Sequence, residues 1–233
     1  MHIVYAPDIH ADTYLLSKEE SYHCIKVLRL RIDDKIQLMD GMGNFFSGII
    51  FDNDPRECGI KIMETHKEPE RAFKLHIATA PTKNIDRFEW FLEKATEIGI
   101  DEITPIVCAH SERKIIRLDR LEKILIAAIK QSVKATLPKI NPMITFKELM
   151  KSSTETQKFI TNCQENQENH LMKKYLKGND CMIIIGPEGD FSPDELTMAM
   201  KNGFESVSLG KYRLRTETAG MVACDIINLK NID

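Results

Sequence analysis

Between Thr65 and Phe73 the chain passes through a polar stretch, THKEPERAF, rich in charge and carrying Pro69, and its hydrophobic pattern differs on the two sides. Before it, short apolar runs follow one another: KIQLMD (35–40), FFSGII (45–50) and CGIKIM (58–63). Asp40, Gly41, Gly43 and Asn44 separate the first two, and Asp52-Asn53-Asp54-Pro55 closes the second; these are residues that tolerate tight turns. After it, apolar runs at 74–80, 102–109, 158–163, 181–186 and 206–210 alternate with helical periodicity near 86–98, 117–134, 168–177, 193–202 and 217–229. Successive strands fit a compact β module, whereas alternation requires a parallel sheet covered by helices on both faces. The pattern therefore predicts a small barrel-like domain over 1–70 and an α/β domain over 71–233.

Local signals support the elements. Ser17 with Glu20 has the capping-box spacing at the start of a helix. Phe88, Phe91, Leu92, Ala95 and Ile98 form one apolar stripe, and Leu118, Leu121, Leu125, Ala128 and Ser132 another; core packing accounts for both. The segment 151–169 is polar enough to contain a mobile loop.

With 42% hydrophobic and 29% charged residues in 233, the chain has material for a real core. No run reaches the roughly 18 to 20 apolar residues of a membrane helix. The N-terminus lacks the pattern of a secretory signal, so a cytoplasmic location is the default expectation. Cysteines at 24, 58, 108, 163, 181 and 224 form no CxxC pair and no close pairing with histidine, which favours reduced thiols and no metal site.

The net charge is only -3, but residues 113–139 hold eight cations against Asp119 and Glu122, a local net of +6. Such a segment is either a solvated helix face or a surface that tracks phosphates. His23, Lys26, Arg29 and Arg31 raise the same question in the N-terminal module.

The most informative segment is CMIIIGPEGDFSPDEL (181–196). An apolar strand ends abruptly in Gly186-Pro187-Glu188-Gly189, and Ser192-Pro193-Asp194-Glu195 then opens a helix. In open α/β sheets the carboxyl ends of strands are where ligands bind. The spacing is neither that of a dinucleotide fingerprint nor that of a phosphate loop, and a Gly-Pro turn there is commonly structural. A second loop, Gly210 to Gly220, also runs from a strand into a helix, with Arg213 and Arg215 in it and Thr216 or Thr218 as possible caps.

GPEGDFSPDE, LGKYRLRTETAG, EKATEIGIDEITPIVCAHSER and HCIKVLRLRIDDKIQLMDGMGNFF together, in order over almost the whole chain, resemble the ribosomal RNA small-subunit methyltransferase E family of the SPOUT superfamily. The resemblance implies a PUA-like RNA-binding β-barrel, then a SPOUT α/β domain with a C-terminal trefoil knot. It implies S-adenosylmethionine as cofactor, N3 of a uridine in 16S rRNA on the small subunit as target, and a homodimer. The family's cofactor loops fall on Gly186, Pro187, Glu188 and Gly189 and on Leu209, Gly210, Leu214, Arg215 and Thr216. Asp190 stands where a further glycine is common, and aspartate is among the residues that best tolerate positive φ. Lys130 and Lys134 stand where glutamate and arginine are often found.

Uracil N3 carries a proton and is a poor nucleophile while neutral, so methylation needs that proton removed or the developing negative charge stabilised. Arg215 is the expected support for that charge, with Glu217 orienting it or receiving the proton. His23, Lys26, Arg29, Arg31, Arg113 and Lys134 are the expected RNA contacts. A SPOUT enzyme acting on a ribose 2′-hydroxyl, or a catalytically silent RNA-binding protein, are the alternatives.

Overall fold

The computed structural model describes residues 3–163 and 167–232. Contacts divide the chain into two units. One holds the residues up to Glu70 together with Ile129–Leu137; the other holds Arg71–Ala128 and Pro138 onward.

The first unit contains β1 (Ile3–Tyr5), β2 (Thr13–Leu15), α1 (Lys18–Tyr22), β3 (Lys35–Met39), β4 (Asn44–Asp52) and β5 (Gly59–Lys67). Its sheet has the order β1-β3-β4-β5-β2, with β1 parallel to β3 and the other pairs antiparallel. Asp40 builds the β3–β4 turn: its buried carboxylate accepts the N–H groups of Met42 (2.7 Å) and Asn44 (3.0 Å). The Ser17 hydroxyl caps α1 by accepting Glu20 N–H at 3.3 Å, and the helix continues as a π-helical turn over His23–Val27. Leu16, Cys24, Leu38, Ile50, Cys58 and Ile60 are among its core residues. Burial pushes the thiols of Cys24 and Cys58 up to about 11, so both remain protonated at neutral pH.

Assignment of Ile129–Leu137 to this unit departs from the expected division at residue 70. The reason is packing: Ile129 and Ala135 are buried with Ile3 and Met39, and the chain is tied by Gly43 N–H to Ala135 O (3.1 Å) and Ala135 N–H to Glu68 Oε2 (3.1 Å).

The second unit is the alternating one. Its strands are β6 (Leu75–Thr79), β7 (Glu102–Val107), β8 (Lys139–Ile140), β9 (Ile144–Thr145), β10 (Gln157–Thr161), β11 (Cys181–Ile185) and β12 (Glu205–Val207). They form a seven-stranded sheet, all pairs parallel, in the order β12-β10-β11-β6-β7-β8, with β9 also on β7. Every residue of the central strands β6 and β11 is buried, including the polar His76 and Thr79 of β6, while β11 is apolar throughout. The helices are α2 (Ile85–Ile98), α3 (Leu118–Ser132), α4 (Phe146–Ser152), α5 (Leu171–Lys174), α6 (Pro193–Lys201) and α7 (Thr216–Lys230); the last turn of α3 belongs to the first unit.

The α2 stripe behaves as expected, with Phe88, Phe91, Leu92 and Ala95 buried. It packs against α7, where Gly220 leaves room for the Phe91 ring; a Cβ at 220 would lie 2.6 Å from it. Part of the polar stretch 151–169 is ordered as the end of α4 and as β10, and residues 164–166 lie outside the described residues. Among the described residues no helix is long and apolar enough to cross a membrane.

Candidate active site

Four loops at the carboxyl edge of the parallel sheet meet. The first leaves β11: Asp190 N–H bonds Pro187 O at 3.0 Å, and Asp190 itself sits at φ +63°, so aspartate does adopt the left-handed conformation at that position. Its carboxylate accepts Phe191 N–H at 2.9 Å. Ser192 and Glu195 then form the expected capping box of α6, with Pro193 in its first turn. The other oxygen of buried Glu195 accepts Ala109 N–H at 2.8 Å and so attaches the loop after β7.

The second bend, after β12, places Arg215 at the N-cap of α7. Neither threonine caps the helix. Thr216 instead donates its hydroxyl to Gly186 O at 3.0 Å, and Arg213 Nη2 donates to Glu188 O at 3.0 Å. Two hydrogen bonds thus join the bends directly.

The loops after β6 and β7 fix the first bend from outside. Glu188 Oε1 accepts Lys83 N–H at 2.9 Å, and His110 Nδ1 lies 3.1 and 3.0 Å from the carbonyls of Gly189 and Asp190. Gly189 is required by that approach, because a Cβ there would fall 2.9 Å from His110 Cβ.

Between the bends lies a cavity of about 270 Å³. Gly186, Pro187, Glu188, Leu214, Arg215 and Thr216 of the expected cofactor loops line it. Leu209 and Gly210 line an adjoining recess of about 50 Å³ that shares Leu214 with the larger space. Gly189 serves the fold of the bend. Sequence reasoning missed Thr161 and Cys163, which line both spaces. Thr161 ends the strand beside β11 and Cys163 lies two residues beyond it, and only the strand order, which local patterns do not reveal, could have pointed to them. Burial and the neighbouring Asp190 carboxylate push the Cys163 thiol above its ordinary value, with Arg213 opposing.

Other expected residues are placed differently. Glu217 is buried and faces Arg87 of α2, with Glu217 Oε1 3.9 Å from Arg87 Nε, so orientation of Arg215 by Glu217 is not the arrangement found. Among the described residues its second oxygen has no hydrogen-bond partner. The Arg113 guanidinium donates through Nε and Nη2 to the carbonyls of Thr82 (3.0 Å) and Lys83 (2.7 Å), which ties down the loop after β6. The +6 segment loses much of its free charge to acids elsewhere in the chain: Arg120 pairs with Glu89, Lys130 with Glu20 and Lys139 with Glu102. Lys134 is half-buried in the first unit, where His23, Lys26, Arg29 and Arg31 are exposed. No group of three metal-ligating side chains occurs among the described residues.

Comparison with known proteins bears on this arrangement. The RNA methyltransferase domain family matches residues 69–228, and the RNA methyltransferase PUA domain family matches residues 16–63. Ribosomal RNA small subunit methyltransferase E of Rickettsia conorii is 31% identical over 92% of this chain and 88% of its own. The chain belongs to the ribosomal RNA small subunit methyltransferase E family. Two solved structures extend the likeness to three dimensions. A protein of Porphyromonas gingivalis described as a probable rRNA-methyltransferase is 40% identical, with a TM-score of 0.93 over 99% of this chain and 98% of its own. The Neisseria gonorrhoeae member of the family, solved bound to S-adenosyl methionine, is 27% identical with a TM-score of 0.84 over 96% and 95%. The fold is accordingly the SPOUT-like α/β fold of that family, preceded by a PUA domain.

Proposed function

We propose that this protein methylates N3 of a uridine in 16S rRNA of the small ribosomal subunit, with S-adenosylmethionine as donor. The observation that carries the reading is the pair of hydrogen bonds, Thr216 to Gly186 and Arg213 to Glu188, that close two strand-end bends around one cavity. The cavity and its adjoining recess lie near the lower bound, about 300 Å³, of small-molecule sites. Their walls combine apolar side chains with main-chain groups, which suits an adenine and a short aliphatic chain. When bound, the cofactor supplies an electrophilic methyl group on a sulfonium.

The work of this chain is to hold, orient and stabilise. Gly186, Pro187, Leu209 and Gly210 would fix the donor through the main chain, and Leu214 would cover its apolar part. Arg215 is exposed at the cavity and its side chain makes no hydrogen bond or ion pair among the described residues, so its guanidinium is available to the uracil carbonyl on which negative charge develops as N3 loses its proton to solvent water. Glu217, buried beside Arg87, suits anchoring of that arginine at the start of α2 better than direct contact with the base. Alignment of N3 with the methyl group supplies much of the remaining acceleration.

The proposal includes a homodimer, supported by the family resemblance and by the exposed apolar surface of Trp90 on α2 and Leu229 on α7. It also includes the C-terminal trefoil knot of the SPOUT superfamily, and action in the cytoplasm, where small subunits are found.

The test is to incubate small subunits lacking the modification with isotopically labelled S-adenosylmethionine and the protein, then locate the labelled nucleoside. N3-methyluridine in 16S rRNA is the expected product. A ribose-methylated nucleoside, or no transfer, would overturn the reading.

A further inference from the structure

The first unit carries a groove of about 570 Å³, lined by Lys18, Glu19, Tyr22, Lys26, Pro55 and Arg56, that the reaction chemistry does not use. Lys18, Tyr22 and Lys26 recur every fourth residue along α1 and the π-helical turn that continues it, so they share one helical face. Tyr22 stands 58% exposed between the two lysines. Across the groove, Pro55 and Arg56 belong to the β4–β5 turn, which Asp54 stiffens by accepting Arg56 N–H on its carboxylate at 2.8 Å. The backbone of each wall has a local hydrogen bond, the Ser17 cap on one side and the Asp54 bond on the other.

The groove's lining is almost wholly apolar, made by Tyr22, Pro55 and the aliphatic stems of Lys18, Lys26 and Arg56, and those last three residues bring three cations against the single carboxylate of Glu19. No salt bridge engages Lys18, Lys26 or Arg56 among the described residues. An aromatic platform flanked by cations is the chemistry of single-stranded nucleic acid: the base stacks on the ring while the neighbouring phosphates take the charges. We propose that this groove is a stacking subsite for an unpaired nucleotide of the RNA substrate, with Tyr22 as the platform and Lys18, Lys26 and Arg56 on the adjoining phosphates. The proposal rests on the RNA methyltransferase reading and adds to it a place and a mode of holding.

Binding of a fluorescent oligouridylate of about ten nucleotides to the full chain, followed by anisotropy without cofactor, tests it. Tyr22→Ala should weaken binding roughly 5- to 100-fold, whereas Tyr22→Phe, which keeps the ring, should stay within about twofold. The triple variant Lys18→Gln/Lys26→Gln/Arg56→Gln should flatten the salt dependence by about 0.7 in logarithmic slope per cation removed. Unchanged affinity in Tyr22→Ala, or a wild-type chain that ignores the oligonucleotide, overturns the subsite. So does displacement of the RNA by an equal concentration of a glutamate-rich peptide, which would mark the groove as a protein site. Because the readout involves no methyl transfer, a protein that binds RNA here but methylates nothing would contradict the enzymatic reading alone.

Discussion

The two edges of the parallel sheet use similar residues to opposite ends. At the amino edge, His76 Nδ1 meets Glu155 Oε1 at 2.6 Å and its Nε2 meets Thr104 Oγ1 at 2.7 Å. Asn141 Nδ2 donates to both Thr104 Oγ1 (2.7 Å) and Glu102 Oε1 (2.6 Å). Carboxylate, imidazole and hydroxyl in that order are the components of a nucleophilic triad, yet His76 and Thr104 are buried and their polar atoms all have partners. At the carboxyl edge the ties between loops fall largely on main-chain oxygens, Gly186, Glu188, Gly189 and Asp190, and a cavity remains with an exposed arginine beside it. A roster of reactive side chains would have selected the wrong edge. Bends tied at their backbone carbonyls by side chains of neighbouring loops, with room left between them, distinguish the right one.

The sharpest contrast is expected from Arg215→Ala. It should lower the single-turnover rate of methyl transfer roughly 100- to 1000-fold, the range for loss of one group that stabilises transition-state charge, while cofactor affinity measured by calorimetry stays within about threefold. Thr104→Val, at the opposite edge, leaves the His76 and Asn141 nitrogens without their partner in a buried place. It should cost about 1 to 3 kcal/mol of stability in urea unfolding and leave cofactor affinity alone. Thr216→Val removes one tie between the bends, and the corresponding loss of cofactor affinity is about three- to tenfold. Effects of Thr104→Val on the cofactor as large as those of Thr216→Val would break the distinction between the edges.

Smaller effects refine it. Asp190→Ala should destabilise by about 1 to 2 kcal/mol, because alanine tolerates the left-handed region poorly and the hydrogen bond to Phe191 is lost, whereas Asp190→Gly loses the same hydrogen bond without the backbone strain and should be the milder of the two; thermal unfolding checks both. At the amino edge, burial acts to raise the Glu155 carboxyl, but the hydrogen bond with His76, reinforced by nearby backbone donors, more than offsets it and holds the group below its usual value. A depressed carboxyl contributes stability above its unfolded pKa that is lost as pH falls through the folded one. Glu155→Gln should therefore flatten the acid limb of the stability profile, at and below about pH 4.5, with little change in its slope near neutrality.

The elements that could be read in advance were those with local causes. The Ser192–Glu195 box, the α2 stripe and the Asp40 turn each follow from residues a few positions apart. Helix α4 escapes the pattern, although Thr145 and Glu148 form a complete capping box, because its polar continuation obscures the short apolar run of Phe146, Leu149 and Met150. Non-local facts were beyond reach. Ile129–Leu137 packs with strands from the start of the chain, Glu217 meets an arginine on α2, and Thr161 reaches the cavity only because β10 lies beside β11. Charge counting overstates the unpaired charge of 113–139 for the same reason, since the partners of Arg120, Lys130 and Lys139 lie elsewhere in the sequence.

Hydrogen-exchange mass spectrometry of the full chain, with and without saturating S-adenosylmethionine, measures the central claim directly, since amides that contact or are ordered by a ligand exchange more slowly. Slower exchange is expected in peptides covering 186–190 and 209–219 together, with peptides around His76, Thr104 and Glu155 unaffected. Protection confined to one of the two bends, or stronger at the amino edge, would contradict a single cofactor cradle between them.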